Sequence, residues 1–209
     1  TAGNDSLAAT ASAREIHAGA GDDTISAGAF ITYLRGDEGN DRIVGGSDFD
    51  DINGNVGNDT ASGGPGDDWV VGGKDQDLLS GEVGNDLVYG NLGADTCDGG
   101  DGDDIVRGGQ DNDVTNGGAG NDFVSGDKGD DTMTGGAGAD VFHSFGDAGL
   151  DTLTGGKGKD HLTGGTESDT FRYLEAADSV SSSAGNDHIL DFVSDADVVI
   201  NPALAADAI

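Results

Sequence analysis

One apolar residue recurs every nine positions through most of this chain, and the residues between are chiefly Gly, Asp and Asn. At the eighth place of successive nonapeptides stand Ile43, Ile52, Ala61, Val70, Leu79, Val88, Cys97, Val106, Thr115, Val124, Met133 and Phe142. Only Thr115 is polar. The phase runs without insertion over residues 9–143, which is fifteen copies. In the twelve copies of residues 36–143 the first place is always Gly and the sixth always Asp. The fourth is Gly in nine of them and Asp48, Asp75 or Asp111 in the others. Residues 144–154 form an 11-residue copy, and GGKGKDHLT and GGTESDTFR restore the regular length.

A period of nine matches neither the helical 3.6 nor the strand 2, so the repeat itself is the structural unit. Repeated Gly allows positive φ, which predicts a turn over the first six places. The last three places predict a very short strand whose middle side chain points inward. One inward side chain per copy makes no core, but stacked copies make a continuous apolar ladder. Two copies then close one coil of eighteen residues. The expected fold is all-β: a parallel β-roll, that is, a two-sheet β-solenoid, with a small C-terminal capping region.

Alternation of copies between two edges places sixth-place acids eighteen residues apart directly over one another. One edge carries Asp5, Asp23, Asp41, Asp59, Asp77, Asp95, Asp113 and Asp131, then Asp151 and Asp169. The other carries Asp50, Asp68, Asp86, Asp104, Asp122 and Asp140, then Asp160. Carboxylates stacked at about 4.8 Å repel unless a cation lies between them. Oxygen-rich, flexible cages of carboxylates and turn carbonyls suit Ca²⁺ better than Mg²⁺. No cluster of Cys or His in the sequence offers a zinc or iron alternative.

Composition agrees that something outside the chain supplies stability. The 209 residues hold 41 Asp and Glu against 9 Lys and Arg, a net charge of −32, and only 34% are apolar. Such a chain alone buries too little surface to offset its conformational entropy. The acidity argues against nucleic acid and anionic membranes as partners. No apolar run approaches the ~20 residues of a membrane span. The opening TAGNDSLAATASAREIHAG lacks the basic flank and apolar run of a cleavable signal. The single cysteine, Cys97, occupies an inward place and reads as a small buried hydrophobe.

Copies such as GGAGNDFVS, GGPGDDWVV and GGDGDDIVR match G-G-x-G-x-D-x-U-x, with U apolar. On these residues the chain resembles the RTX family of calcium-binding nonapeptide repeats over roughly residues 18–172. The resemblance implies a β-roll with Ca²⁺ between the loops of successive coils, held by turn carbonyls and sixth-place carboxylates. Neighbouring acid pairs give about ten to fifteen ions, and fifteen dications would bring roughly +30 against the chain's own charge. Arg14 and Thr32 stand where the second edge needs acids, so that edge is expected to lack Ca²⁺ before Asp50. Residues 1–35 read as atypical N-terminal coils, 36–172 as the roll and 173–209 as a cap.

The cap segment DTFRYLEAADSVSSSAGNDHILDF resembles the region that ends such modules in serralysin-type proteases and alginate epimerases, through Asp169, Phe171, Asp178, Ser179, Asp187, Ile189, Asp191 and Phe192. This resemblance implies export by a type I-like system to the cell surface or beyond. No H-E-x-x-H, G-x-S-x-G or P-loop is present, so the chain reads as a non-catalytic module, from a larger secreted enzyme or otherwise. A structural or adhesive surface solenoid, as in an S-layer or matrix, is the alternative. An ice-binding face would need unbroken Thr rows, and Arg42, Leu78 and Val114 interrupt the row of Thr24, Thr60, Thr96 and Thr132. On the second sheet the outward seventh places include Trp69, Leu87, Ile105, Phe123 and Val141, a stripe expected to meet a protein partner or a second copy.

Overall fold

The computed structural model describes residues 2–9, 14–30, 32–143, 149–172, 188–190 and 198–200. The chain winds as a β-solenoid of about nine coils with about eighteen residues in each. Among the described residues, alternate strands in chain order fall into two sheets, one of eleven strands and one of ten. All pairings are parallel and join each strand to the one a coil away, as in Asp51↔Trp69, Trp69↔Leu87 and Leu87↔Ile105. No helix occurs among the described residues.

The strands are longer than the repeat suggests. The expected three-residue strand covers only half of segments such as Trp69–Lys74, Leu78–Val83 or Ile105–Gln110. Each continues through the first three places of the next copy, where pairs such as Asn91↔Gly109 and Leu92↔Gln110 extend the ladder. The turn therefore shrinks to the fourth to sixth places. The backbone can run on because the second place adopts a left-handed conformation, as at Gly109 (φ 127°), without leaving the ladder. Asp37, Asn55, Asn91 and Asp127 hold the same place with φ between 73° and 84°.

The eighth-place side chains fill the interior as expected. Ile25, Ile43, Leu79 and Leu153 from one sheet face Leu34, Val70, Val106 and Leu162 from the other, each at most 1% exposed. Thr115 lies in the same row, and its buried hydroxyl finds no hydrogen-bond partner. The apolar ladder breaks there into two clusters, one ending at Val106 and one beginning at Val124. Cys97 is buried against the Arg107 carbonyl, and burial pushes its thiol well above the ordinary range.

The 11-residue copy leaves both rows of acids in register. The Asp131 N–H donates to Asp151 Oδ1 and the Asp140 N–H to Asp160 Oδ1, both at 2.9 Å across a twenty-residue separation. Strands Ser6–Ala8, Glu15–Ala20 and Thr24–Ser26 continue the two sheets toward the N-terminus. At the other end Phe171 is buried in the ladder and His188–Ile189 and Val198–Ile200 add to the sheets. Asp178, Ser179, Asp187, Asp191 and Phe192 lie outside the described residues.

Candidate metal centre

Each sixth-place aspartate closes a turn at the mouth of the next strand, and its carbonyl accepts from the following coil, as Asp68 does from the Leu87 N–H, so its backbone is fixed by the ladder. Its side chain folds back over the first glycine of its own copy. A Cβ on Gly99 would stand 2.5 Å from Asp104 Oδ2 and 2.5 Å from the Gly117 carbonyl oxygen. The first place of this copy therefore has no room for a side chain. Removing that methyl leaves a cradle faced by a carboxylate oxygen and by a carbonyl of the following coil. The fourth place is as tight: a Cβ on Gly102 (φ 140°) would overlap the Gly84 carbonyl one coil below.

The two predicted rows form as the sequence places them. From Asp23 through Asp131 on the first edge, and from Asp50 through Asp140 on the second, every sixth-place acid is at most 4% exposed. Asp151, Asp160 and Asp169 continue the rows, equally buried, while Asp5 at the N-terminal end is half-exposed. Within a row one oxygen is already committed. The Asp77 N–H donates to Asp95 Oδ1 and the Asp95 N–H to Asp113 Oδ1, at 2.8 and 2.7 Å. On the second edge the Asp68 N–H donates to Asp86 Oδ1 at 2.7 Å and the Asp104 N–H to Asp122 Oδ1 at 2.9 Å.

The other oxygen is not committed. Oδ2 of Asp41, Asp59, Asp77, Asp95 and Asp113, and of Asp68, Asp86, Asp104 and Asp122, is buried without a hydrogen-bond partner. Asp50 reverses the roles: its Oδ2 accepts the Gly46 N–H at 2.5 Å and its Oδ1 is left over. Unpartnered carboxylate oxygens in two buried files are costly, and a row of them fits a cation.

Electrostatics points the same way. Burial, reinforced by neighbouring carboxylates, pushes Asp113 up to about 8 and Asp59, Asp77 and Asp104 up to about 7. Burial likewise pushes Asp68, Asp86 and Asp95 up to about 6. Backbone N–H groups oppose the shift at every one of these sites without cancelling it. Among the described residues no three Asp, Glu, His or Cys side chains converge on one point. Each cradle thus combines few carboxylates with main-chain carbonyls, a hard oxygen donor set that matches Ca²⁺.

A second ladder escaped the sequence reading. Asn or Asp at the fifth place accepts the fifth-place N–H of the following coil. The Asn58 N–H donates to Asn40 Oδ1 at 2.8 Å, and the Asp103 N–H to Asn85 Oδ1 at 2.8 Å. The signal was present as repeated Asn and Asp at an apparently free place. It lapses at Phe49 and Ala94, which carry no acceptor.

The stripe residues occupy one row of the second sheet, in the register Trp69↔Leu87↔Ile105↔Phe123↔Val141. Trp69 is 50% exposed, and Leu87 and Phe123 are half-buried. Phe49 meets Trp69 edge-on at 6.1 Å. Trp69, Val71, Leu87 and Tyr89 line a shallow recess of about 190 Å³. Beside it the Arg107 guanidinium lies 5.8 Å from the Tyr89 ring and is held by Asp127 at 2.7 and 3.0 Å. His161 and His188 stack on the same outer face, 5.4 Å between ring centres, away from the acid rows.

A family model described as RTX calcium-binding nonapeptide repeat matches residues 1–34, 26–61, 35–70, 62–97, 92–115, 107–142 and 143–171. A search of curated proteins returned no match.

Proposed function

The chain belongs to the family of RTX calcium-binding nonapeptide repeats, and on that premise we propose that it is a non-catalytic module of an exported protein that folds when it meets Ca²⁺ outside the cell. The observation that carries this reading is the pair of buried files of carboxylate oxygens without partners. Asp41, Asp59, Asp77, Asp95 and Asp113 on one edge, and Asp50, Asp68, Asp86, Asp104 and Asp122 on the other, are the residues that would hold the ions. Bound Ca²⁺ supplies positive charge where successive carboxylates face one another, which the chain cannot do with nine cationic side chains.

The residues themselves make the response a switch. Folding stacks buried acids in rows, so an ion-free chain is opposed by desolvation and by repulsion between coils. Binding free energy is then folding free energy. Extracellular calcium modules bind at about 10⁻⁴–10⁻³ M, far above cytosolic levels. The chain would cross an export channel unfolded and wind up on arrival. Docking on the apolar stripe would follow, since the stripe exists only in the wound state.

Circular dichroism during a Ca²⁺ titration tests the reading. β-Structure is expected to rise cooperatively, and native-like β-structure in excess chelator at neutral pH would sink it. The exposed Trp69 stripe favours the second reading, a solenoid that also assembles at the cell surface.

A further inference from the structure

The two flat faces of the roll differ in charge over the same coils. On the second sheet, strands Trp69–Lys74, Leu87–Leu92, Ile105–Gln110 and Phe123–Lys128 carry Lys74, Arg107 and Lys128 against one acid, Asp127. On the first sheet, Thr60–Pro65, Leu78–Val83, Thr96–Asp101 and Val114–Ala119 carry Glu82, Asp98 and Asp101 and no base. Three of the nine cationic residues of a chain with net charge −32 thus gather on one patch.

Both patches also expose apolar side chains. Trp69, Leu92 and Ile105 are exposed on the second face, and Leu78, Val83 and Val114 on the first, each between 37% and 53%. Gln110 and Lys128 border the same hollow as Arg107 and Asp127, so the strand ends belong to the face and not to the turns. On the first face Ser62 donates to Glu82, and Asn116 to Asp98 at 2.9 Å, which holds two of the three acids in place. Strand spacing is common to both faces, so side-chain rows on one can mesh with rows on the other.

We propose that the partner of the second-sheet face is the first-sheet face of another copy of this chain. Like faces would bring Lys74 and Lys128 against the same cations, whereas unlike faces set them against Glu82, Asp98 and Asp101 beside exposed apolar side chains, with Arg107 already held by Asp127. The two sheets are opposite faces of the roll, so a contact between them is heterologous and copies add face to back into an open stack. Four strands at about 4.8 Å and six residues at about 3.3 Å give a footprint of roughly 400 Å². That is small for a permanent interface, so assembly is reversible and grows with concentration. The proposal rests on the calcium-folded state described above.

Sedimentation velocity on the Ca²⁺-loaded full chain, from about 5 to about 500 µM, tests it in the range where small interfaces act. The expected result is a sedimentation coefficient that keeps rising past the dimer, with a blue shift of Trp69, the single tryptophan. Lys74→Glu with Lys128→Glu, or Glu82→Lys with Asp101→Lys, should each weaken assembly at least about tenfold. An equimolar mixture of the two double variants should restore it, because each then offers the charge the other lacks. Circular dichroism on the same samples separates the two readings. A folded chain that stays monomeric, or that stops at a dimer, overturns the stacking alone. Assembly untouched by the first-face pair of substitutions overturns it as well. A chain that does not fold in Ca²⁺ removes the folding proposal and the stacking together.

Discussion

The backbone N–H of Asp86 donates to Oδ1 of Asp104, one coil on, at 2.8 Å. One carboxylate thus has two tasks: one oxygen fastens the preceding coil, and the other faces the cradle beside Gly99.

Substitution can separate those tasks. Asp104→Asn keeps an acceptor for the Asp86 N–H but loses the charge, so it should raise the Ca²⁺ midpoint with little loss of stability at saturating Ca²⁺. Asp104→Ala loses both and should lower stability as well, by about 1–3 kcal/mol for the buried donor left unpaired. Asp5→Ala, at the half-exposed end, should change neither by much. Calcium titrations and thermal melts of the three variants check this, and equal effects at Asp5 and Asp104 would contradict it.

Acid should replace calcium in part. Asp59, Asp77, Asp104 and Asp113 titrate in the folded chain at about 7 to 8, above the ordinary carboxylate value of 3.8. The folded state therefore binds protons more tightly than the unfolded one. That contribution is fully present below about pH 4 and is lost as pH rises through 7 to 8. In chelator, β-structure should appear as pH falls from about 8 toward about 4. A flat circular dichroism signal across that window would refute the expectation.

Thr115→Val should stabilise the calcium-loaded roll. The buried hydroxyl has no partner, and its removal joins the two apolar clusters. A gain of about 1 kcal/mol is expected, seen as a rise of about 2–4 °C in Tm. An unchanged or lower Tm would show that the hydroxyl is satisfied.

Gly99→Ala should be among the most damaging small changes. Its methyl would enter the cradle between Asp104 Oδ2 and the Gly117 carbonyl, so both stability and the Ca²⁺ midpoint should suffer. Gly28→Ala, whose Cβ would meet only the Ala9 carbonyl at 4.0 Å, should stay within about 0.5 kcal/mol. Parallel melts of the two variants decide the matter.

The nine-residue phase made the coils, the inward ladder from Ile25 to Phe171 and both rows of acids legible, because each follows from counting. What escaped depends on backbone geometry across a coil. Nothing in GGKDQD announces that the strand runs from Trp69 through Gly72 and Gly73 to Lys74, since glycine pairs usually mark turns. The split labour of Oδ1 and Oδ2 was hidden for the same reason: it needs the N–H of a residue eighteen positions away. The fifth-place ladder was overlooked because the motif calls that position free, although Asn40, Asn58, Asn85 and Asn121 stand there.

The buried ladder also has a direction. In every link, from Asp5 and Asp23 to Asp151 and Asp169, the capping carboxylate belongs to the coil nearer the C-terminus. The exposed fifth-place ladder points the other way but is interrupted, whereas the buried one is not. A coil can therefore satisfy its sixth-place amide only when its C-terminal neighbour has taken shape. A finished coil thus offers a ready clasp to the sixth-place N–H of the coil before it, while its own seventh-place N–H donates to that coil's carbonyl, as Thr60 does to Asp41, so each coil is locked from both sides by different atoms.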